Sequence, residues 1–218
     1  MTDFSTATSL DPHEEHFRSP GPREDALLFL HYLRAERATF DLRRAVLYVH
    51  GATFPSTVSI AHRFDGRSWR KALGDAGFDV WGLDLYGFGH SDRYPEMDRP
   101  AAESPALCVA DDAARQVEAA VRFILAHQNI GSISLIAHSW GSMPASLFAG
   151  EHPALVERLV LFAPIARGDS RRYEQPATFP AWRIVTLEDQ WDRFVEDVPA
   201  HETPVLSRLH FDEWGEPP

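Results

Sequence analysis

Ile133-Ser134-Leu135-Ile136-Ala137-His138-Ser139-Trp140-Gly141-Ser142 joins an apolar run to a small-His-Ser-x-Gly sequence. The residues that follow, Trp140 to Glu151, carry a helical pattern. A strand, a tight turn with a serine at its apex and then a helix match the G-x-S-x-G turn of serine nucleophiles, with Ala137 in the first glycine position. The need for small residues is steric. The chain reverses sharply, and bulky flanking side chains would collide with the neighbouring strand and helix. The helix would point its first N–H groups at the serine, where they favour developing negative charge. A serine that merely ends a strand is the plainer alternative. The placement between a buried strand and a helix favours Ser139 as a nucleophile.

Working outward, the same alternation recurs. Ala45-Val46-Leu47-Tyr48-Val49 is a short run of the kind buried on both faces of a parallel sheet. Phe78–Leu83 and Leu159–Ala163 are similar, Ala26–Leu33 is a further strand, and His16–Ser19 is a candidate edge strand. Between them lie helical patterns. Trp69, Ala72, Leu73 and Ala76 share one face after a possible Ser68 N-cap, with Gly77 as a stop. A longer stripe of Val117, Ala120, Val121, Ile124 and Leu125 follows the acids Asp111 and Asp112. The expected fold class is α/β, a mainly parallel sheet with helices on both faces. After Pro164 the pattern changes to scattered Trp, Phe and Pro, with one amphipathic helix expected over Glu188–Val198. This tail reads as a helical insertion.

Composition narrows the function classes. A chain of 218 residues with 44% apolar content suits one domain, or one domain with an insertion. A net charge of −11 argues against nucleic-acid binding, which needs clustered Lys and Arg. Cys108 is the sole cysteine, so neither an internal disulfide nor a thiolate metal site is expected. The polar start has no signal-peptide character and no stretch approaches a membrane span. A cytoplasmic setting is the expectation.

Two further motifs lie at strand ends. Val49-His50-Gly51-Ala52-Thr53 follows a buried strand. Gly51 lets the backbone turn so that the N–H of Ala52, with Thr53 in reserve, can face an oxyanion together with the N–H of Trp140. His50 reads as a structural residue that holds this loop by hydrogen bonds. Asp84-Leu85-Tyr86-Gly87-Phe88-Gly89-His90-Ser91 reads as a glycine-rich turn. It lacks the third glycine of a dinucleotide fingerprint.

Taken together, His50-Gly51, the Asp84/Gly87/Gly89/Ser91 loop and Ala137 to Gly141 resemble the α/β-hydrolase superfamily over about residues 26–165. The resemblance implies a hydrolase core over 1–165 and the start of a helical cap over 166–218. It implies acyl transfer on Ser139 with a small-molecule substrate (an ester, thioester, lactone or amide) and no cofactor or metal. A serine nucleophile distinguishes the chain from haloalkane dehalogenases and epoxide hydrolases, which attack with Asp. The rival from another class is a non-catalytic module that binds a ligand or partner through the same pocket.

In this fold a triad acid and then a histidine follow the nucleophile. The strands expected to carry them are not found. Asp169, Asp189, Asp192, Asp197 and Asp212 are the leftover acids, and His201 and His210 the leftover bases. All are expected on cap helices and loops facing water. Two explanations compete, a natural short form that has lost catalysis and a chain truncated within its cap; the expectation is the second, with the last strands of the sheet missing and an unpaired sheet edge.

Overall fold

The computed structural model describes residues 13–35, 44–165 and 180–215. Six strands form one sheet: β1 (Glu15–Pro20), β2 (Leu27–Leu33), β3 (Ala45–Val49), β4 (Asp79–Asp84), β5 (Ile133–His138) and β6 (Val156–Phe162). Their spatial order is β1-β2-β4-β3-β5-β6. The β1–β2 and β2–β4 pairs are antiparallel. The β4–β3, β3–β5 and β5–β6 pairs are parallel. The sheet is mainly parallel with an antiparallel edge, and helices pack on both of its faces. The helices are α1 (Trp69–Asp75), α2 (Ala110–Gln128), α3 (Ser142–Glu151), α4 (Leu187–Val195) and α5 (Arg208–Gly215).

The unbroken apolar runs of the central strands have a direct cause. Alternate residues of β3 enter two separate cores. Ala45, Leu47 and Val49 pack with Val117, Ala120, Val121 and Ile124 of α2. Val46 and Tyr48 pack on the other face with Ile60, Val80 and Ile136, with Leu73 of α1 against them. Both faces are covered, so every position of β3 is apolar or aromatic.

Local signals fix the ends of the helices. The Ser68 hydroxyl accepts from the Lys71 amide at 2.9 Å and starts α1. Asn129, with a φ of 53°, closes α2. Several boundaries shift from expectation by one to three residues, and two of the shifts have a visible cause. The helix expected from Trp140 begins at Ser142, because Ser139–Gly141 forms a 3₁₀ turn first. β6 runs Val156–Phe162 rather than 159–163, because Ala163 takes a left-handed φ of 46° and ends it. As the outermost of the described strands on its side, β6 leaves Val160 and Phe162 50% and 54% exposed.

In the tail, Thr186 and Asp189 form a reciprocal cap that starts α4. The short helix α5, unanticipated in the sequence, is pinned by Trp214, whose indole N–H donates to the Val58 carbonyl at 2.8 Å. Phe54 packs against Trp214 and Phe194 at ring separations of 4.9 and 6.1 Å. Residues 166–179, which include Asp169, lie outside the described residues. Among those described, no helix is long and apolar enough to cross a membrane.

A charged cluster is buried where β1, β2 and α1 meet. Arg70 donates to Glu14 and to His31 Nδ1, each at 2.5 Å. Burial pushes the His31 imidazole down to about 4. Burial would raise the Glu14 carboxyl, but the hydrogen bond with His16 and the proximity of His31 and Arg70 outweigh it and bring it down to about 2. Folding therefore releases protons from His31 between 6.5 and about 4, and from Glu14 between 4.5 and about 2. Stability from these groups is complete at neutral pH. It drains away as acid is added, first through the His31 window and then through that of Glu14. Melting temperatures measured from pH 7.5 to 3 are expected to start falling below about pH 6.5. A profile flat down to pH 4 would contradict the assignment.

Candidate active site

Ser139 sits where β5 ends and the 3₁₀ turn begins, at the carboxyl end of the parallel strands. Its φ is 50°, a region that costs a non-glycine residue about 1 kcal/mol or more. The turn needs this conformation because β5 must reverse directly into α3. Gly141 shows how tightly the turn is packed. A Cβ there would lie 2.7 Å from the Val49 carbonyl oxygen and closer still to that of His50. These are backbone atoms of β3 and the following loop, and they cannot rotate away. Gly141→Ala is expected to destabilise the protein by about 2–3 kcal/mol and to shift the Ser139 turn. Urea denaturation checks the first effect.

The loop after β3 lies against the serine. A Cβ built on Gly51 would be 3.3 Å from Ser139 Cβ and 3.4 Å from His138 Nδ1. The amides of Ala52 and Thr53 donate to no group among the described residues. They are free donors on a loop held by hydrogen bonds at Gly51 and Ser56. The Trp140 N–H lies in the first turn after the strand, where helical N–H groups have no partner within the turn. Ser139 and Gly51 are thus brought into one neighbourhood from segments far apart in sequence.

His50 holds this loop, as its position suggested. It is fully buried. Its Nε2 accepts from the Leu85 amide at 3.1 Å, which leaves Nδ1 as the donor to the Gly51 carbonyl at 2.6 Å. Burial lowers its pKa, so the ring is neutral and both nitrogens are occupied. It cannot take a proton from Ser139 without breaking the loop.

The other titratable candidates are engaged elsewhere. Asp189 caps α4. Asp212 pairs with Arg208 at 2.8 Å one turn away. Asp192 and Asp197 are exposed. His201 has a side chain 83% exposed, and the His210 ring rests 6.2 Å from that of Phe64. No described histidine or carboxylate is hydrogen-bonded to the Ser139 hydroxyl. Among the described residues, no cluster of His, Cys, Asp or Glu is arranged to hold a metal ion. Burial pushes the Cys108 thiol up to about 12, so it remains protonated and unreactive.

Sequence reasoning missed the residues behind the site. Asp84 is fully buried. It accepts from the Ser56 amide at 2.8 Å, from the Ser56 hydroxyl at 2.5 Å and from the His90 amide at 3.1 Å. The glycine-rich turn thus carries a carboxylate that ties two loops together. The aspartate heading that motif was the available signal.

A family model described as alpha/beta hydrolase fold matches residues 44–208. A haloalkane dehalogenase of Mycolicibacterium paratuberculosis is 30% identical over 175 residues, covering 79% of this chain and 49% of that protein. The chain therefore spans about half the length of the curated relative it matches. A Vigna radiata epoxide hydrolase variant is similar with a TM-score of 0.50 at 17% identity, over 69% of this chain and 39% of that one. At that identity the likeness concerns the fold alone.

Proposed function

Because the chain belongs to the α/β-hydrolase fold family, we propose that it cleaves a small ester, thioester, lactone or amide through an acyl-enzyme on Ser139. The observation that carries this reading is a serine held at a left-handed φ between strand and helix, with the Gly51 backbone against it. The Ser139 oxygen attacks the carbonyl carbon. The Ala52 and Trp140 amides receive the oxyanion. The tetrahedral adduct collapses, and the leaving alcohol, thiol or amine takes up the proton that a general base removed from Ser139. Water then repeats the attack on the acyl-serine and frees the acid. In this reading α4 and α5 belong to a helical cap, and its aromatic side chains favour an apolar or aromatic group on the substrate.

The nucleophile also argues against the chemistry named for the relatives. In the resemblance described above, haloalkane dehalogenases and epoxide hydrolases attack with Asp. A carboxylate attacking a saturated carbon leaves an ester, which water can cleave. A serine oxygen attacking the same carbon would leave an ether. An ether has no carbonyl for water to attack, and turnover would stop at the first event. Ser139 therefore favours acyl substrates.

A fluorophosphonate probe with mass mapping of the adduct tests the reading. The expected result is a single adduct on the peptide carrying Ser139, together with ester hydrolysis and no halide release from a bromoalkane. A second reading, a non-catalytic binding module, draws on the Ser139 hydroxyl having no histidine partner among the described residues. An unlabelled protein that still binds an ester analogue would favour that module.

A further inference from the structure

The loop that bears Ala52 is pinned at both ends. His50 holds its start through the Gly51 carbonyl. Its far end is Ser56, which opens the 3₁₀ turn Ser56–Val58. The geometry points to Ser56 as a positioning residue for this site, with its hydroxyl locked between His31 and Asp84 so that the loop bearing the Ala52 and Thr53 amides keeps its place beside Ser139. This inference rests on the acyl-transfer reading, since the amides matter only if an oxyanion forms beside Ser139.

The hydrogen-bond directions along this line are fixed by chemistry. Asp84 is a carboxylate that only accepts, and Ser56 gives it both its hydroxyl proton and its amide N–H. With its one proton spent, the Ser56 oxygen accepts from His31 Nε2 at 2.8 Å. That places the imidazole proton on Nε2 and leaves Nδ1 bare. Arg70 has no acceptor, and it donates to that bare nitrogen at 2.5 Å. Its other terminal nitrogen is held by Glu14. The order Arg70 to His31 to Ser56 to Asp84 can therefore run in one sense only, with a guanidinium at one end and a carboxylate at the other. Burial favours the neutral imidazole that this order requires. All four residues are buried, so water cannot replace a lost member without opening the core.

The packing around the line agrees. His31 lies directly opposite Gly82 in the β2–β4 register. A Cβ at Gly82 would overlap the imidazole. The Asp84 carbonyl accepts from the Ser91 hydroxyl, whose oxygen accepts from the Phe29 amide at 2.7 Å. The loop support is thereby continuous with β2 and β4. No other described hydrogen bond links residues 52–55 to the sheet. Ser56 is the point through which the rigid core acts on the far end of the loop, as His50 does on its start.

The test uses the full chain with Ser56→Ala, Ser56→Cys and Ser56→Thr. Labelling of Ser139 by a fluorophosphonate is followed over probe concentration to separate the maximal rate from half-saturation. The amide resonances of Ala52 and Thr53 are recorded alongside those of Leu135 and Ile136. Losing one oxyanion donor outright costs about 10²–10³-fold, and a displaced donor costs less. Ser56→Ala is expected to lower the maximal rate about 10- to 100-fold, with half-saturation held within about 2-fold. The Ala52 and Thr53 resonances should move while those of β5 stay. Ser56→Thr, which keeps the hydroxyl, should restore both. Ser56→Cys, closer to serine in volume and a weak donor, repeats the Ser56→Ala result if that variant fails to fold. Wild-type rates in Ser56→Ala overturn the proposal, whether or not the resonances move. Equal losses in Ser56→Thr and Ser56→Ala also overturn it, because only packing would then be at work. If wild-type protein is not labelled, the acyl-transfer reading fails. The resonances then decide separately whether Ser56 sets the loop.

Discussion

Replacing Ser139 by alanine is expected to abolish fluorophosphonate labelling and to lower any ester turnover by more than about 10³-fold, with no loss of stability. Alanine and serine bear similar costs at a φ of 50°, so the turn should survive and the melting temperature should hold. The effect is large because the nearest serine along the chain cannot take over. Ser142 is the nearest alternative along the chain, but it is buried in the first turn of α3. Its oxygen is occupied by the Ile165 amide at 3.1 Å. Ser142→Ala is the matched control: it should lose that hydrogen bond and keep its label. Labelling that persists in Ser139→Ala would remove the basis for the acyl-enzyme.

Arg70→Met is expected to destabilise the fold by about 3–5 kcal/mol, through Glu14 rather than through lost volume. The Arg70 side chain is 0% and the Glu14 side chain 1% exposed. Removing the guanidinium strands a carboxylate in the core and leaves His31 Nδ1 without its donor. At roughly 2–4 °C per kcal/mol for a chain of this size, the melting temperature should drop by about 10 °C. The double variant Glu14→Leu with Arg70→Met should recover much of the loss, because a buried ion pair costs desolvation that an apolar pair does not. Thermal melts of the two singles and the double separate the alternatives. If the losses simply add, Glu14 and Arg70 are not coupled as drawn.

The neutral-pH stability of the Glu14–His31–Arg70 cluster and the support of the Ala52 loop share His31. The functional loop is therefore anchored in the part of the core most sensitive to acid. None of this was legible from spacing. Glu14, His31, Ser56, Arg70 and Asp84 are spread over 71 positions with no common motif. Only the aspartate opening Asp84-Leu85-Tyr86-Gly87-Phe88-Gly89 hinted at a role beyond a turn. The tail was partly legible. The Glu188–Val198 pattern led to α4, whereas α5 was missed because Leu209, Phe211 and Trp214 give too short a stripe.

The order of strands and helices, the serine at a strand–helix junction and the glycines beside it followed from sequence alone. They depend on local periodicity and on whether a Cβ fits, and both are properties of neighbouring residues. The tertiary structure decided what spacing cannot encode: the free amides of Ala52 and Thr53, the neutral and fully engaged His50, and the Arg70–His31–Ser56–Asp84 line. Those depend on which polar groups meet once strands from distant parts of the chain are laid side by side and water is excluded. A buried group must then find its partner wherever the fold brings one within reach.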